Sequence, residues 1–197
     1  MSDIIIRPAE LLDVPAMLGI YAPYVEETAV SFEYAVPSEE EFRARVEKVQ
    51  GFYPWLVAEQ EGRVVGYAYA SPPYSRAAYR WCAEPSVYLR PEARGRGIGA
   101  KLYAALEKIL ALQGYQVLYA LITSENTASL RFHEKQGYSK RAEFPHCGFK
   151  FGRWLGIYWY EKRTEPVKIP SNPPTPWPQL MHSDQKFSDI LDILSLS

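Results

Sequence analysis

The sequence is poor in the residues that build redox and metal centres. Only two of 197 residues are cysteine, Cys82 and Cys147, and only three are histidine, at 133, 146 and 182. The cysteines form neither a disulfide framework nor a paired-ligand spacing, so both are read as ordinary thiols of a reducing, cytoplasmic compartment. Scattered histidines give no reason to expect a metal. An excess of one charge is also missing: 22 basic residues face 23 acidic ones, for a net charge of −1. Such a balance creates no field that gathers nucleic acid or an anionic membrane surface. Long apolar runs are absent too, since a spanning helix needs roughly 20 such residues. The first residues offer one apolar triplet, Ile4 to Ile6, and no cleavage pattern, so a soluble, unprocessed protein is expected.

What is present suits one ordinary domain with a sizeable core, 47% of residues being hydrophobic. Ile4 to Ile6 read as an opening strand, and Val14, Met17, Leu18 and Tyr21 as a helix at the 3.6 period. Ser38 and Glu41 form a capping box before a second helix that carries Phe42, Val46 and Val49 and ends near Gly51. Trp55 to Gln60 and Val64 to Ala70, joined through Glu61-Gly62-Arg63, read as an antiparallel hairpin. Proline and charge from Pro72 to Trp81 indicate a loop, followed by a strand over Ser86 to Arg90. A helix from about Gly97 to Gln113, a short strand over Val117 to Ile122, and a helix from Asn126 to Gln136 closed by Gly137 come next. Tyr138 to Phe144 and Gly156 to Lys162 are strand candidates, so the order is mixed α/β. From Glu165 onward six prolines favour an extended segment. The division is therefore a domain over 1–164 and a proline-rich tail over 165–197. Phe187, Ile190, Leu191 and Leu194 suit one face of a short terminal helix, expected to pack weakly or fray, with docking on this chain or a partner as the alternative.

Arg94-Gly95-Arg96-Gly97-Ile98-Gly99-Ala100 lies between a strand and a long helix, where backbone amides converge on an anion. Glycine admits a bulky pyrophosphate without side-chain clash, and the helix start adds partial positive charge. No Gly-Lys-Ser/Thr follows, and the glycine spacing is not that of the dinucleotide fingerprint, so nucleotide hydrolysis loses its support. A diphosphate ligand and a plain tight connection both remain open on this run alone.

Its surroundings carry more. Arg94-x-x-Gly97-x-Gly99, with Asn126-x-x-Ser129 and Gly137-Tyr138 downstream, resembles the coenzyme A pyrophosphate motif and later segment of the GNAT N-acetyltransferases. Tyr53-Pro54-Trp55-Leu56-Val57-Ala58-Glu59, Arg76-x-x-Tyr79-x-Trp81 and Glu84-x-Ser86-Val87-Tyr88 narrow the resemblance, as do Leu130-x-x-His133-Glu134-x-x-Gly137-Tyr138 and Gly148-Phe149-Lys150-x-Gly152-x-Trp154. In order and spacing they are similar to the phosphinothricin and methionine sulfoximine N-acetyltransferase subfamily, over about residues 4 to 162. Two positions depart from it: Pro85 stands where the subfamily usually has a polar residue, and Gly156 where it usually has aspartate. The resemblance implies a mixed central sheet of about six to seven strands flanked by about four helices, acetyl-CoA as co-substrate, and a homodimer. It places the cofactor on Val87, Tyr88, Leu89, the run from Arg94 through Gly95, Arg96, Gly97, Ile98 and Gly99 to Ala100, and on Asn126 and Ser129.

Acetyl transfer to an amine needs a base, because an alkylammonium with a reference pKa of roughly 10 is protonated at neutral pH. The resemblance assigns that role to Glu84. A backbone N–H between Val87 and Leu89 can meet the developing oxyanion. His133 stands where the wider superfamily carries a tyrosine, and a group that titrates near neutrality can protonate the departing thiolate or orient the acceptor. Tyr103 also matches a tyrosine of the subfamily, with plain core packing as its alternative. An amino-acid-like acceptor carries a carboxylate, which a guanidinium grips through two parallel hydrogen bonds, and Arg76 matches the arginine of the acceptor loop. Phe32 and Tyr79 are expected to wall the same pocket with Glu84 and His133. The alternatives are another amine, such as a polyamine, peptide N-terminus or protein lysine, and a non-catalytic module that holds coenzyme A.

Overall fold

The computed structural model describes residues 3–164 and 167–195. Strand β1 (Ile4–Pro8) leads into helices α1 (Val14–Glu26) and α2 (Glu39–Gln50), then β2 (Trp55–Gln60), β3 (Arg63–Ser71) and β4 (Cys82–Leu89). Helix α3 (Ile98–Gln113), strand β5 (Val117–Thr123), helix α4 (Thr127–Lys135) and the long hairpin β6 (Ser139–Lys150) and β7 (Arg153–Arg163) complete the sheet. Two helices, α5 (Trp177–Met181) and α6 (Asp184–Ser195), close the chain. The seven strands lie in the order β1-β2-β3-β4-β5-β7-β6. Every neighbouring pair is antiparallel except β4 with β5. A mixed seven-stranded sheet with flanking helices is the expected fold class.

Side-chain alternation along the inner strands divides the core into two layers. Leu56, Ala58, Ala68 and Ala70 face α3, while Trp55, Val57 and Tyr67 face α1 and α2. Small residues toward α3 let that helix sit close to the sheet, and its stripe of Leu102, Tyr103, Leu106, Ile109 and Leu110 is fully buried. The capping box forms as read: the Ser38 hydroxyl accepts from the Glu41 amide, and the Ser38 amide donates to the Glu41 carboxylate. The β2–β3 turn is tighter than its sequence suggests. Gln60 pairs with Arg63, so only Glu61 and Gly62 form the loop, both at positive φ (53° and 74°) as a two-residue hairpin turn requires.

Three strand boundaries move. Strand β4 begins at Cys82 rather than Ser86, so Glu84 and Pro85 lie inside it. Strands β6 and β7 extend past Phe144 and before Gly156 to meet at the Phe151-Gly152 turn, with register shifts between Lys140 and Ala142 and between Phe144 and Gly148. Pro145, Gly148 and Gly156 break the alternation that a regular strand would show, and the shifts absorb them.

The tail does not fray. Trp177, Leu180 and Ile190 are buried in the same cluster as α3 and β1, although the sheet ends at Arg163. The prolines keep it extended only as far as Pro176, after which Pro178 occupies the first turn of α5, where its missing N–H costs nothing. Gln113, at the end of α3, anchors it by donating from Nε2 to Thr175 O and Phe52 O, both at 2.8 Å. Glu165 and Pro166, where the composition changes, and the side chain of Phe187 lie outside the described residues. Because Leu180 is fully buried in the cluster that covers α3, Leu180→Ala is expected to cost about 2–5 kcal/mol in urea unfolding of the whole chain. A loss below about 0.5 kcal/mol, the scale of an ordinary surface change, would show that the tail packs independently.

Candidate active site

The parallel pairing of β4 with β5 lasts only two residues, Cys82 with Val117 and Ala83 with Leu118. Beyond them the strands part and open a cleft of about 390 Å³ between β4, β5, α1 and the starts of α3 and α4. Backbone alternation decides which β4 groups face it. Trp81 O accepts from Gln116 N on the β5 side, while Arg90 N donates to Val65 on β3. Odd-numbered residues of β4 therefore point their amides and carbonyls toward β5, and even-numbered ones toward β3. Past Ala83 the odd-numbered groups must find other partners. Pro85 has no N–H to strand there, and its carbonyl accepts from the Tyr103 hydroxyl at 3.2 Å. Leu89 uses both groups on Tyr24, whose hydroxyl donates to Leu89 O at 2.7 Å and accepts from Leu89 N at 3.1 Å. Val87 N–H is left to the cleft.

At one end lies the glycine-rich turn. Gly97 is the N-cap of α3 in the left-handed conformation, φ 80°, so the first-turn amides of α3 have no carbonyl before them to bond. A Cβ built on Gly95 or Gly97 meets nothing within 4 Å, while at Gly99 it would lie 3.2 Å from Leu89. Open space before unpaired helix amides is what a diphosphate requires. Arg94 lines the same end and stacks its guanidinium 5.0 Å from the Tyr24 ring.

Glu84 and His133 line the other end. The Glu84 carboxylate is half-buried and makes no hydrogen bond or ion pair among the described residues. Burial alone pushes its pKa up to about 7. His133 is buried, with Nδ1 2.8 Å from Ser129 O and Nε2 2.9 Å from the Tyr103 hydroxyl. A carbonyl only accepts, so Nδ1 carries the proton, and the single Tyr103 proton is shared between Nε2 at 2.9 Å and Pro85 O at 3.2 Å. Burial also lowers the histidine pKa, which favours this neutral ring.

Of the expected cofactor residues, Val87, Tyr88, Leu89, Arg94, Gly95, Gly99, Asn126 and Ser129 line the cleft. Asn126 doubles as the N-cap of α4, its Oδ1 accepting from Ser129 N at 3.1 Å. Arg96 instead reaches Gln60 Oε1, and Ile98 turns its side chain into the core. Gly97, Ile98 and Ala100 do not line the cleft.

Of the expected acceptor residues, Glu84 and His133 line the cleft together, whereas Arg76, Tyr79 and Phe32 do not line it. Arg76 is exposed on the β3–β4 loop with no side-chain partner among the described residues, and Tyr79 packs against Tyr74 with the rings tilted and their centroids 4.3 Å apart. Phe32 lies against Gly148 of β6. The sequence reading missed Tyr24, Thr28 and Val30, which line the cleft. Tyr24 continues the α1 stripe of Met17 and Tyr21 by one turn, a signal hidden by Pro23 inside that helix. Gly97→Val would force a β-branched residue into a left-handed backbone and fill the open space. It is expected to weaken coenzyme A, the ligand implied by the sequence resemblance, more than tenfold, or about 1.4 kcal/mol. Unchanged calorimetric affinity in a folded variant would detach the turn from the ligand.

The comparisons with known proteins agree with this geometry. The acetyltransferase (GNAT) domain family matches residues 6–159. The phosphinothricin N-acetyltransferase of Streptomyces viridochromogenes is 36% identical over 175 residues, covering 89% of this chain and 95% of the relative. The L-methionine sulfoximine/L-methionine sulfone acetyltransferase of Pseudomonas paraeruginosa is 36% identical over 168 residues, covering 83% and 96%. A GNAT superfamily phosphinothricin acetyltransferase from Sinorhizobium meliloti, solved in complex with acetyl-CoA, superimposes with a TM-score of 0.81 at 33% identity, covering 88% of this chain and 96% of that one. A sheet that parts beside a glycine-rich helix start, and a match that runs across nearly all of it, place this chain in the GNAT family of acetyltransferases.

Proposed function

We propose that this acetyltransferase moves the acetyl group of acetyl-CoA directly onto the primary amine of a small amino-acid-like acceptor of the phosphinothricin, methionine sulfoximine or methionine sulfone type. The observation that carries the reading is Glu84: an unpartnered, half-buried carboxylate at the end of a cleft whose far end is shaped for a diphosphate. The names of the Streptomyces and Pseudomonas relatives support the acceptor class. In this reading Glu84 takes the proton of the attacking amine, directly or through water, as the C–N bond forms and the C–S bond breaks. Val87 N–H donates to the carbonyl oxygen as it gains negative charge. His133 forms the cleft side of the pair with Tyr103 that faces the departing sulfur. Its Nδ1 proton is held on Ser129 O, so the neutral ring orients the acceptor, and the thiolate takes its proton from solvent, to which Glu84 returns the one it accepted from the amine. Arg76, without a side-chain partner among the described residues, grips the acceptor carboxylate when the β3–β4 loop closes on it, with Tyr79 and Phe32 as flanking walls.

We take residues 1–164 as the catalytic domain and 165–197 as a brace behind it. The reading also includes a homodimer, supported by the exposed aromatic side chains of Phe144, Phe149, Phe151 and Trp154 on the β6–β7 hairpin, and a cytoplasmic location, supported by the free thiols of Cys82 and Cys147. Among the described residues no helix is long and apolar enough to cross a membrane, and no group of side chains is arranged to hold a metal. No partner beyond the small amine, nucleic acid included, belongs to the proposal.

Two measurements test it. A base must be ionised to act, so kcat/KM is expected to rise with pH through about 7, the value to which burial raises Glu84. Glu84→Gln should abolish that limb and lower kcat by about 10²-fold with acetyl-CoA affinity retained. Because the folded pKa is raised, ionisation of Glu84 opposes folding, and the parent loses stability between the ordinary carboxylate range and about 7. Glu84→Gln should therefore be the more stable protein above that pH, and a variant with normal turnover would remove Glu84 as the base.

Steady-state kinetics with phosphinothricin, methionine sulfoximine and spermidine address the acceptor. Both amino-acid analogues should be preferred, and Arg76→Lys, which keeps charge but loses the planar fork, should raise the acceptor KM. A higher kcat/KM for spermidine would move the acceptor to polyamines. Binding of acetyl-CoA without turnover of any amine would leave a coenzyme A binding module.

A further inference from the structure

Lys150, the last residue of β6, is 3% exposed and forms no ion pair among the described residues. Its Nζ donates to three backbone carbonyls: Val25 at 2.6 Å, Thr28 at 2.9 Å and Ser31 at 2.7 Å. Three acceptors match the three protons of an ammonium group. Val25 O belongs to the last turn of α1, where carbonyls lack helical partners and the helix dipole is negative, while the other two lie on the segment that follows. The Phe151 ring, 4.8 Å from Nζ, adds its negative face. Burial alone pushes a lysine toward its neutral form, and Glu33 opposes that shift.

The carbonyls that Lys150 holds belong to the stretch whose residues Thr28 and Val30 line the cleft that also holds Glu84. Thr28 and Val30 line both the main cleft and an adjoining cavity of about 340 Å³ that opens toward Phe151 and Arg153. Ala29 O, between them, accepts from the Thr123 hydroxyl of β5. The neighbouring contacts tie the same two elements together. Phe32 occupies the space a side chain at Gly148 would need, and the Tyr34 hydroxyl donates to Phe149 O.

We infer that Lys150 is a positioning residue: its ammonium clasps the Val25–Ser31 segment onto the β6–β7 hairpin and so sets the Thr28–Val30 wall against which the acceptor amine approaches Glu84. The effect on the acceptor rests on the acetyltransferase reading above; the clasp itself does not. Arginine cannot replace it, because a planar fork directs its donors in one plane whereas these three carbonyls surround a point.

The test uses the full chain with Lys150→Met and Lys150→Arg. Either variant should raise the phosphinothricin KM about tenfold or more while kcat and acetyl-CoA affinity stay within about threefold. Amide hydrogen exchange over 27–32 should quicken about tenfold without substrate present, and the rest of the sheet should keep its protection. In the parent labelled with ¹⁵N-lysine, one slowly exchanging ammonium resonance should be visible, and it should vanish in both variants. A fall in kcat at unchanged KM would mark Lys150 as merely structural, unchanged exchange over 27–32 would overturn the clasp, and rescue by arginine would overturn the three-point geometry. Should neither variant fold, the parent spectrum decides, since a clasped ammonium must be protected. If the parent binds acetyl-CoA and acetylates no amine, the acetyltransferase reading and the acceptor role of the clasp fall together, while exchange still judges the clasp.

Discussion

The parting of β4 from β5 is the constraint on which the rest depends. Two adjacent strands in the middle of a seven-stranded sheet hold each other through only two residue pairs and then separate. A sheet interior that opens exposes backbone donors and acceptors that a continuous ladder would have consumed, and each must be satisfied or left to a ligand. Tyr103 and Tyr24 take the carbonyls of Pro85 and Leu89, one from α3 and one from α1. Both hydroxyls brace the wedge from opposite layers. The group that stays unclaimed, Val87 N–H, sits between the two braced positions.

That arrangement accounts for the departure at position 85. A proline in a central strand would normally cost a ladder bond, yet here its missing donor points toward the side on which no partner strand remains. The price is local. Proline also fixes the backbone just after Glu84, so the carboxylate enters the cleft from a stiff strand rather than from a loop end. The second departure has a packing reading: a Cβ at Gly156 would lie 3.1 Å from Pro145 O, 3.2 Å from Phe144 O and 3.2 Å from Ser124 Oγ. The register shift in β6 carries the neighbouring strand across the space that a side chain at 156 would occupy.

Much of the fold was legible in the sequence because its elements are short and cleanly punctuated. The capping box at Ser38, the turn at Glu61-Gly62 and the left-handed Gly97 each mark a boundary that local chemistry alone decides. The glycine-rich end of the cleft was legible for the same reason, being built from consecutive residues. At the other end Glu84 and His133 were read through the resemblance, but Thr28 and Val30 were not. These two come from the segment after α1, Glu84 from β4 and His133 from α4, and nothing local in the sequence brings them together. Tertiary hydrogen bonds do so: Thr123 to Ala29, Tyr24 to Leu89 and Lys150 to three carbonyls. For the tail the sequence left docking on this chain as the alternative to fraying, and the choice between them depends on the complementary apolar surface on α3 and β1, which the tail's own residues do not show.

The two ends of the cleft therefore differ in how they are held, and this bears on which of them can vary. The glycine-rich end is fixed by backbone geometry of one continuous run, so its shape follows from glycine positions and one helix start. The Glu84 end is assembled by side chains acting on distant carbonyls, and a single substitution at any of them would move a wall without unfolding the sheet. Arg76 lies on a third element, the β3–β4 loop, with no side-chain partner among the described residues, so its distance from Glu84 is set by the loop and not by the core. Under the proposed assignment, a cleft with one rigid end and one adjustable end would keep its donor while its acceptor changes, because alterations at Lys150, Thr123 or the β3–β4 loop leave the Gly95–Gly99 backbone where it is.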